Sequence, residues 1–143
     1  MPGPARTLSI VAALSGVYDL AVGLTLLAAP AAMASVFGVA PPAPPIFGTL
    51  NGLFLLAVGA GYWLPYRDPE RYRGYLWVMG PLLKGAGALA FVVDHLVRRS
   101  PASFLLFAAT DGALALVTLW ALMRTPPASR TRGPSSRTAA PAR

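Results

Sequence analysis

The chain has 143 residues, 55% hydrophobic and only 12% charged, with a net charge of +7 and a mean hydropathy of +0.57. A soluble domain carries about 25% charged residues, so this composition excludes an ordinary soluble fold. With no Cys and a single His95, disulfides, thiolate catalysis, Cys-ligated metals and sites built from several imidazoles are excluded as well.

Four apolar stretches of 19–24 residues are legible, at 7–29, 46–64, 74–97 and 101–123. Each is close to the ~20 residues a helix needs to cross a bilayer core. The alternation expected of membrane strands is missing. The expected fold is an all-α membrane protein, a four-transmembrane-helix bundle over residues 1–123 followed by a basic tail, 124–143. Its expected place is the inner cell membrane, multi-pass, with the lipid bilayer as first partner. Many Arg and a single Lys, with abundant Ala, Gly and Pro, look like a bacterial, GC-rich composition.

The first stretch follows Arg6 and contains Asp19. Ala32-Met33-Ala34 after it resembles a signal-peptidase site. The run is longer than the 7–15 apolar residues of a signal peptide and holds a charge, so a retained helix is expected. The uncharged, proline-rich segment 30–45 is expected to be extended and stiff, with Met33–Val39 at the outer interface. In the second stretch, LNGLFLLAVG (50–59) matches LSGVYDLAVG (14–23) at six of ten positions. Between oppositely directed helices this is either an inverted repeat or convergence on one packing pattern.

The turn PYRDPERYR (65–73) reads as solvated. In the third stretch Gly80-Pro81 precedes Lys84, and a bend is expected because Pro removes a helical hydrogen bond. Asp94 and His95, followed by Arg98 and Arg99, read as a salt-bridged helix end, too few ligands for a metal. The tail RTPPASRTRGPSSRTAAPAR has five Arg and no acid, and is expected to be disordered. Its Arg are scattered without aromatics for base stacking, so no nucleic-acid partner is expected.

Nine basic residues fall on one side of the expected spans: Arg6, three in the 65–73 turn and five in the tail. Two, Arg98 and Arg99, fall on the other. The positive-inside rule then puts both termini in the cytoplasm. Trp63, Trp77, Trp120, Tyr62, Tyr66, Tyr72 and Tyr75 cluster at that same boundary, as an aromatic belt would.

Each stretch also carries one strongly polar residue: Asp19, Asn51, Lys84 and Asp111. All lie roughly 15–20 Å from the termini-side end at 1.5 Å per residue, near the bilayer centre. Gly16, Gly23, Gly48, Gly52, Gly80 and Gly87 share their faces, as do Ala108 and Ala115. Small residues mark close helix approach, so the four polar groups are expected to point inward as one layer. Tyr18 and Thr110 are candidate members. Two Asp and one Lys sum to −1 when ionised, so the layer has room for a shareable proton.

Tyr18-Asp19 with Gly23, Pro30 with Phe37-Gly38, Lys84-Gly85 and the Asp of the fourth helix resemble small bacterial four-helix membrane proteins, the DoxX-like and related groups. The resemblance spans about residues 7–123. It implies membership of a quinone-linked oxidoreductase for some relatives, whereas this chain has no Cys or His set to hold a redox centre.

Three functions stand open. The expected one is a structural or accessory subunit, since a filled layer and short loops leave little room for substrate machinery; its Asp–Lys–Asp layer would fix helix order and the choice of a membrane-protein partner or homo-oligomer, and the other two are alternatives. A second is an intramembrane site for a lipophilic small molecule, with acid–base chemistry from Lys84 and the two Asp. The third is a proton or ion path. Residue types alone identify no cofactor.

Overall fold

The structure, a computed structural model, describes residues 3–125, all-helical with no strand among them. The expected tail therefore lies, from residue 126 onward, outside the described residues. Helix α1 (Pro4–Ala28) starts on a proline, whose missing N–H costs nothing in a first turn. It ends at Ala29, held at φ −144°, ψ 55°, as a residue before proline avoids helical angles.

Pro30 then opens a second helix, α2 (Pro30–Phe37), which stops at Gly38 in the left-handed region with φ 68°. This corrects the expectation of an extended 30–45 segment. Proline breaks a helix from within but begins one readily, and Ala-Ala-Met-Ala after it favours the helix. Only residues 38–45 remain non-helical before α3.

The second span is α3 (Ile46–Gly61) continued by α4 (Trp63–Arg67), with a break at Tyr62. Pro65 explains the break, because its ring crowds the carbonyl four residues back, that of Gly61. The chain turns at 68–72, where the Asp68 carboxylate accepts the Arg71 N–H at 3.0 Å. The third span is α5 (Arg73–Trp77), a π-helical stretch Val78–Lys84, and α6 (Gly85–Arg98). The expected bend at Pro81 thus takes the form of a widened turn that ends on Lys84. A 3-10 turn at Ala102–Phe104 leads into α7 (Leu105–Arg124). Four helical runs, Ala5–Ala28, Ile46–Arg67, Arg73–Arg98 and Ala102–Arg124, are long and apolar enough to cross a membrane. This is the architecture of a multi-pass membrane protein.

The four spans form two tightly packed antiparallel pairs. In the first, α1 lies on α3 with Gly16 against Gly59 and Gly23 against Gly52. A Cβ on Gly23 would sit 2.8 Å from the Gly52 carbonyl oxygen, and one on Gly59 would sit 2.9 Å from the Leu20 nitrogen. The matched ten-residue segments therefore face each other, head to tail. In the second pair the third span lies on α7, with Gly80 against Thr118. The α1–α7 contact joins the pairs, giving the order α3, α1, α7, third span.

At the end that carries residues 3 and 125, the terminal end, the interior is filled. Leu8, Ala12, Val58, Tyr62, Leu76, Ala121 and Leu122 form one buried cluster. Tyr75 meets Tyr62 edge-on at 5.3 Å and donates to the Val58 carbonyl at 2.6 Å. Tyr62 is 2% exposed. Tyr62 and Tyr75 thus serve the interior, whereas Trp63, Tyr66, Trp77 and Trp120 face outward. The Arg73 guanidinium donates to the Leu122 carbonyl and closes this end.

Substitution Gly23→Ala should separate α1 from α3 and destabilise the protein by about 1–3 kcal/mol, the usual cost of overpacking. Gly74→Ala, where nothing lies within 4 Å of the added Cβ, should leave thermal stability unchanged or slightly raised. Melting of the two variants in one detergent checks the contrast.

Candidate functional site: a buried ionic layer beneath an apolar cavity

Asp19 stands midway along α1, one turn from Ser15 and Gly23 on the face turned into the bundle. Lys84 closes the π-helical stretch, and Asp111 lies in the first half of α7. The three meet. Lys84 Nζ donates to Asp19 Oδ1 at 2.6 Å and to Asp111 Oδ1 at 3.1 Å. Lys84 and Asp19 are 5% and 2% exposed, and Asp111 is 17% exposed. The ammonium also lies 5.0 Å from the centre of the Tyr18 ring, within cation–π range.

Tyr18 and Thr110 make a second contact between α1 and α7. The Thr110 hydroxyl donates to the Leu106 carbonyl at 2.9 Å, which leaves Tyr18 to donate to Thr110 at 2.9 Å. Asn51 takes a different position. It lines a cavity above the ions, and no side-chain hydrogen bond ties it to them among the described residues. The layer is thus three ionic groups with a Tyr–Thr pair beside it and an amide on the facing wall.

The cavity is the feature that residue patterns did not reveal. It has a volume of about 610 Å³ and runs from the ionic layer to the end opposite the termini. Its floor is Asp19, Lys84 and Asp111, and its walls are the loop-side halves of all four spans. Helix α2 covers it with Met33, Ala34 and Phe37. Phe37 stacks on Phe107 at 4.7 Å and on Phe104 at 5.7 Å, and its carbonyl accepts the Ser103 hydroxyl at 2.7 Å. Phe91 from α6 completes the cluster, 5.5 Å from Phe107.

The space exists because α3 is packed on α1 and α6 on α7, which leaves α3 and α6 to flank the gap between the pairs. Asn51 and Phe54 on one side and Leu83 on the other line the cavity and are accessible. A volume of this size, largely apolar with a few convergent polar groups, is typical of small-molecule sites.

On the terminal side of the layer, Asp19 Oδ2, Ser15 Oγ and the Tyr62 hydroxyl are buried with no hydrogen-bond partner among the described residues. Buried polar atoms left open in this way are commonly met by internal water. Asp94 and His95 are at the far end of α6, outside the layer. Asp94 pairs with Arg98 at 2.9 Å, and His95 Nδ1 lies 2.7 Å from the Ser100 carbonyl. These contacts close the helix end, where Arg99 takes the left-handed conformation with φ 59°.

Replacing Lys84 with Met leaves two facing carboxylates without their shared cation, and loss of about 3–5 kcal/mol is expected. Adding Asp19→Asn should recover more of it than adding Asp111→Asn, because Asp19 is the more buried and the closer partner. Thermal melts of the single and double variants test the coupling, and strictly additive losses would refute it. No protein-family model, curated protein or solved structure matches this chain.

Proposed function

We propose that the protein binds a lipophilic small molecule within the membrane, its apolar body in the 610 Å³ cavity and its polar end on the Asp19–Lys84–Asp111 layer. The observation that carries this reading is the direct opening of the cavity onto the ions. A layer serving only to fix helix order would be better sealed, since water or lipid above it costs free energy. Asp111 is the most open member, with one oxygen held by Lys84 and the other 4.0 Å from the Cβ position of Gly87 at the cavity wall.

Accessible Phe54 and Leu83 flank the gap between the helix pairs at the depth of the apolar spans, which supports entry from the lipid phase rather than from water. The expectation of an accessory subunit rests on a filled layer with little room around it, and the space above Asp111 weighs against that premise. A DoxX-like affiliation stays a proposal carried by the short motifs around Asp19 and Lys84. Acid–base chemistry on the bound molecule is the second reading, favoured by a carboxylate and an ammonium in contact at the cavity floor.

Protein extracted in mild detergent should carry a lipophilic molecule detectable by native mass spectrometry. Gly87→Leu adds bulk where, among the described residues, the only neighbour within 4 Å of a Cβ is the Asp111 carboxylate, so it should fill the cavity without a clash. The variant should melt like the parent and lose the copurified molecule; equal retention in both would count against the reading.

We also propose that the terminal end faces the cytoplasm, on the nine-to-two distribution of basic residues. Arg67 over Trp63 at 5.4 Å and Arg124 over Trp120 at 5.2 Å support a basic, aromatic boundary there. A reporter fused after Arg143 should be active only in its cytoplasmic form.

A further inference from the structure

The ligand-site reading leaves open what kind of polar end the floor accepts, and the charges around the cavity narrow it. From α1 the cavity meets Tyr18 and Asp19, from α3 Asn51, from the third span Lys84, and from α7 Asp111. From α2 and residues 39–42 it meets only apolar side chains, among them Met33, Phe37 and Pro42. Among the described residues no arginine lines the cavity. Arg73 is held by the Leu122 carbonyl at the terminal end, and Arg98 by Asp94 at the outer end of α6.

Lys84 and Asp19, 2.6 Å apart and almost wholly buried, neutralise each other. Asp111 is then the carboxylate in excess of the single ammonium. It is 0.5 Å farther from the ammonium, at 3.1 Å against 2.6 Å, and more exposed. An anionic head group would meet two carboxylates and a single shared ammonium, two of whose three N–H donors already serve them. A cationic head group would instead balance the excess and keep the floor neutral, which in a low-dielectric setting is the cheaper state. The rings of Phe54, Phe91 and Phe107 line the same space and give it an aromatic wall suited to the apolar body of an onium ion.

Resting on the ligand-site reading, we propose that the cavity selects lipophilic cations, amines or quaternary onium ions with an apolar body, and that Asp111 is the residue that selects their charge. A cation entering from the lipid would slide between α3 and the third span, bury its body among the Phe rings, and stop with its charge beside Asp111.

The experiment compares tetraphenylphosphonium with tetraphenylborate, two ions matched in shape and opposite in sign. Binding is measured by equilibrium dialysis against the full chain in neutral detergent, with protein-free micelles as reference. The expected result is saturable binding of the phosphonium with at least tenfold preference over the borate. Asp111→Asn should weaken the phosphonium at least tenfold, Asp111→Glu should restore most of it, and Gly87→Leu should abolish it. Should Asp111→Asn not fold, the preference between the two ions in the parent protein still decides the matter. Equal binding of the two ions, a preference for the borate, or phosphonium binding indifferent to Asp111→Asn would overturn the charge assignment. If Gly87→Leu still removes the binding in any of those cases, the cavity reading survives the loss. If Gly87→Leu removes nothing, both readings fall.

Discussion

The contact between Lys84 and Asp19 is the constraint on which the rest depends. Each helix pair is held internally by close glycine contacts, α1 to α3 and the third span to α7. Between the pairs, packing runs through α1 and α7, and the Lys84–Asp19 ion pair reaches from one pair across to the other at 2.6 Å. Lipid offers no hydrophobic drive between helices, so association relies on van der Waals fit and on polar contacts. An ion pair at this depth has no water to fall back on. Separating the pairs would strand an ammonium and a carboxylate in hydrocarbon, which makes the ionic layer a clasp as well as a site floor.

The two halves of the bundle are built on opposite principles. Toward the termini, Leu8, Leu76 and Leu122 with Tyr62 fill the interior, and Tyr75 and Arg73 tie off backbone carbonyls. Toward the other end, Phe37, Phe91, Phe104 and Phe107 line a space rather than fill it. The stacked rings make a stiff wall, and α2 lies over it anchored by the Ser103–Phe37 hydrogen bond. The charge layer marks the boundary between the filled and the hollow half. Stability can come from one side while the other side keeps its volume.

Much of this was legible in the residues because membrane helices advertise their length and their faces. The four spans are close to the apolar runs, and Asp19, Lys84 and Asp111 meet as their common depth and small-residue neighbours imply. The matched Gly-x6-Gly segments were visible too, although only the structure shows Gly16 against Gly59 and Gly23 against Gly52. Three things were hidden for physical reasons. Pro30 reads as a breaker but acts as a first-turn residue, so α2 was missed. Tyr62 and Tyr75 have belt composition yet turn inward, Tyr62 at the break between α3 and α4 and Tyr75 to meet its ring and the Val58 carbonyl. The cavity arises where α3, packed on α1, and α6, packed on α7, leave a gap between the two pairs. No periodicity within a single helix encodes it.

The π-helical stretch explains how one helix serves both partners. On a regular helix Gly80, Lys84 and Gly87 would share a single stripe, all directed at the same neighbour. Gly80 meets Thr118 and Gly87 lies near Asp111, both on α7. Lys84 must also reach Asp19 on α1. Pro81 withholds the hydrogen bond that would keep the turn regular, and the stretch Val78–Lys84 widens accordingly. A wider turn advances each residue through a smaller angle, which carries Lys84 off the glycine stripe toward the seam between α1 and α7. The irregularity is therefore a positioning device: proline supplies it, lysine uses it, and close packing on α7 continues on either side. A backbone of this kind is tolerated within a membrane where it borders a cavity or protein rather than lipid, and Leu83 and Lys84 both line the cavity.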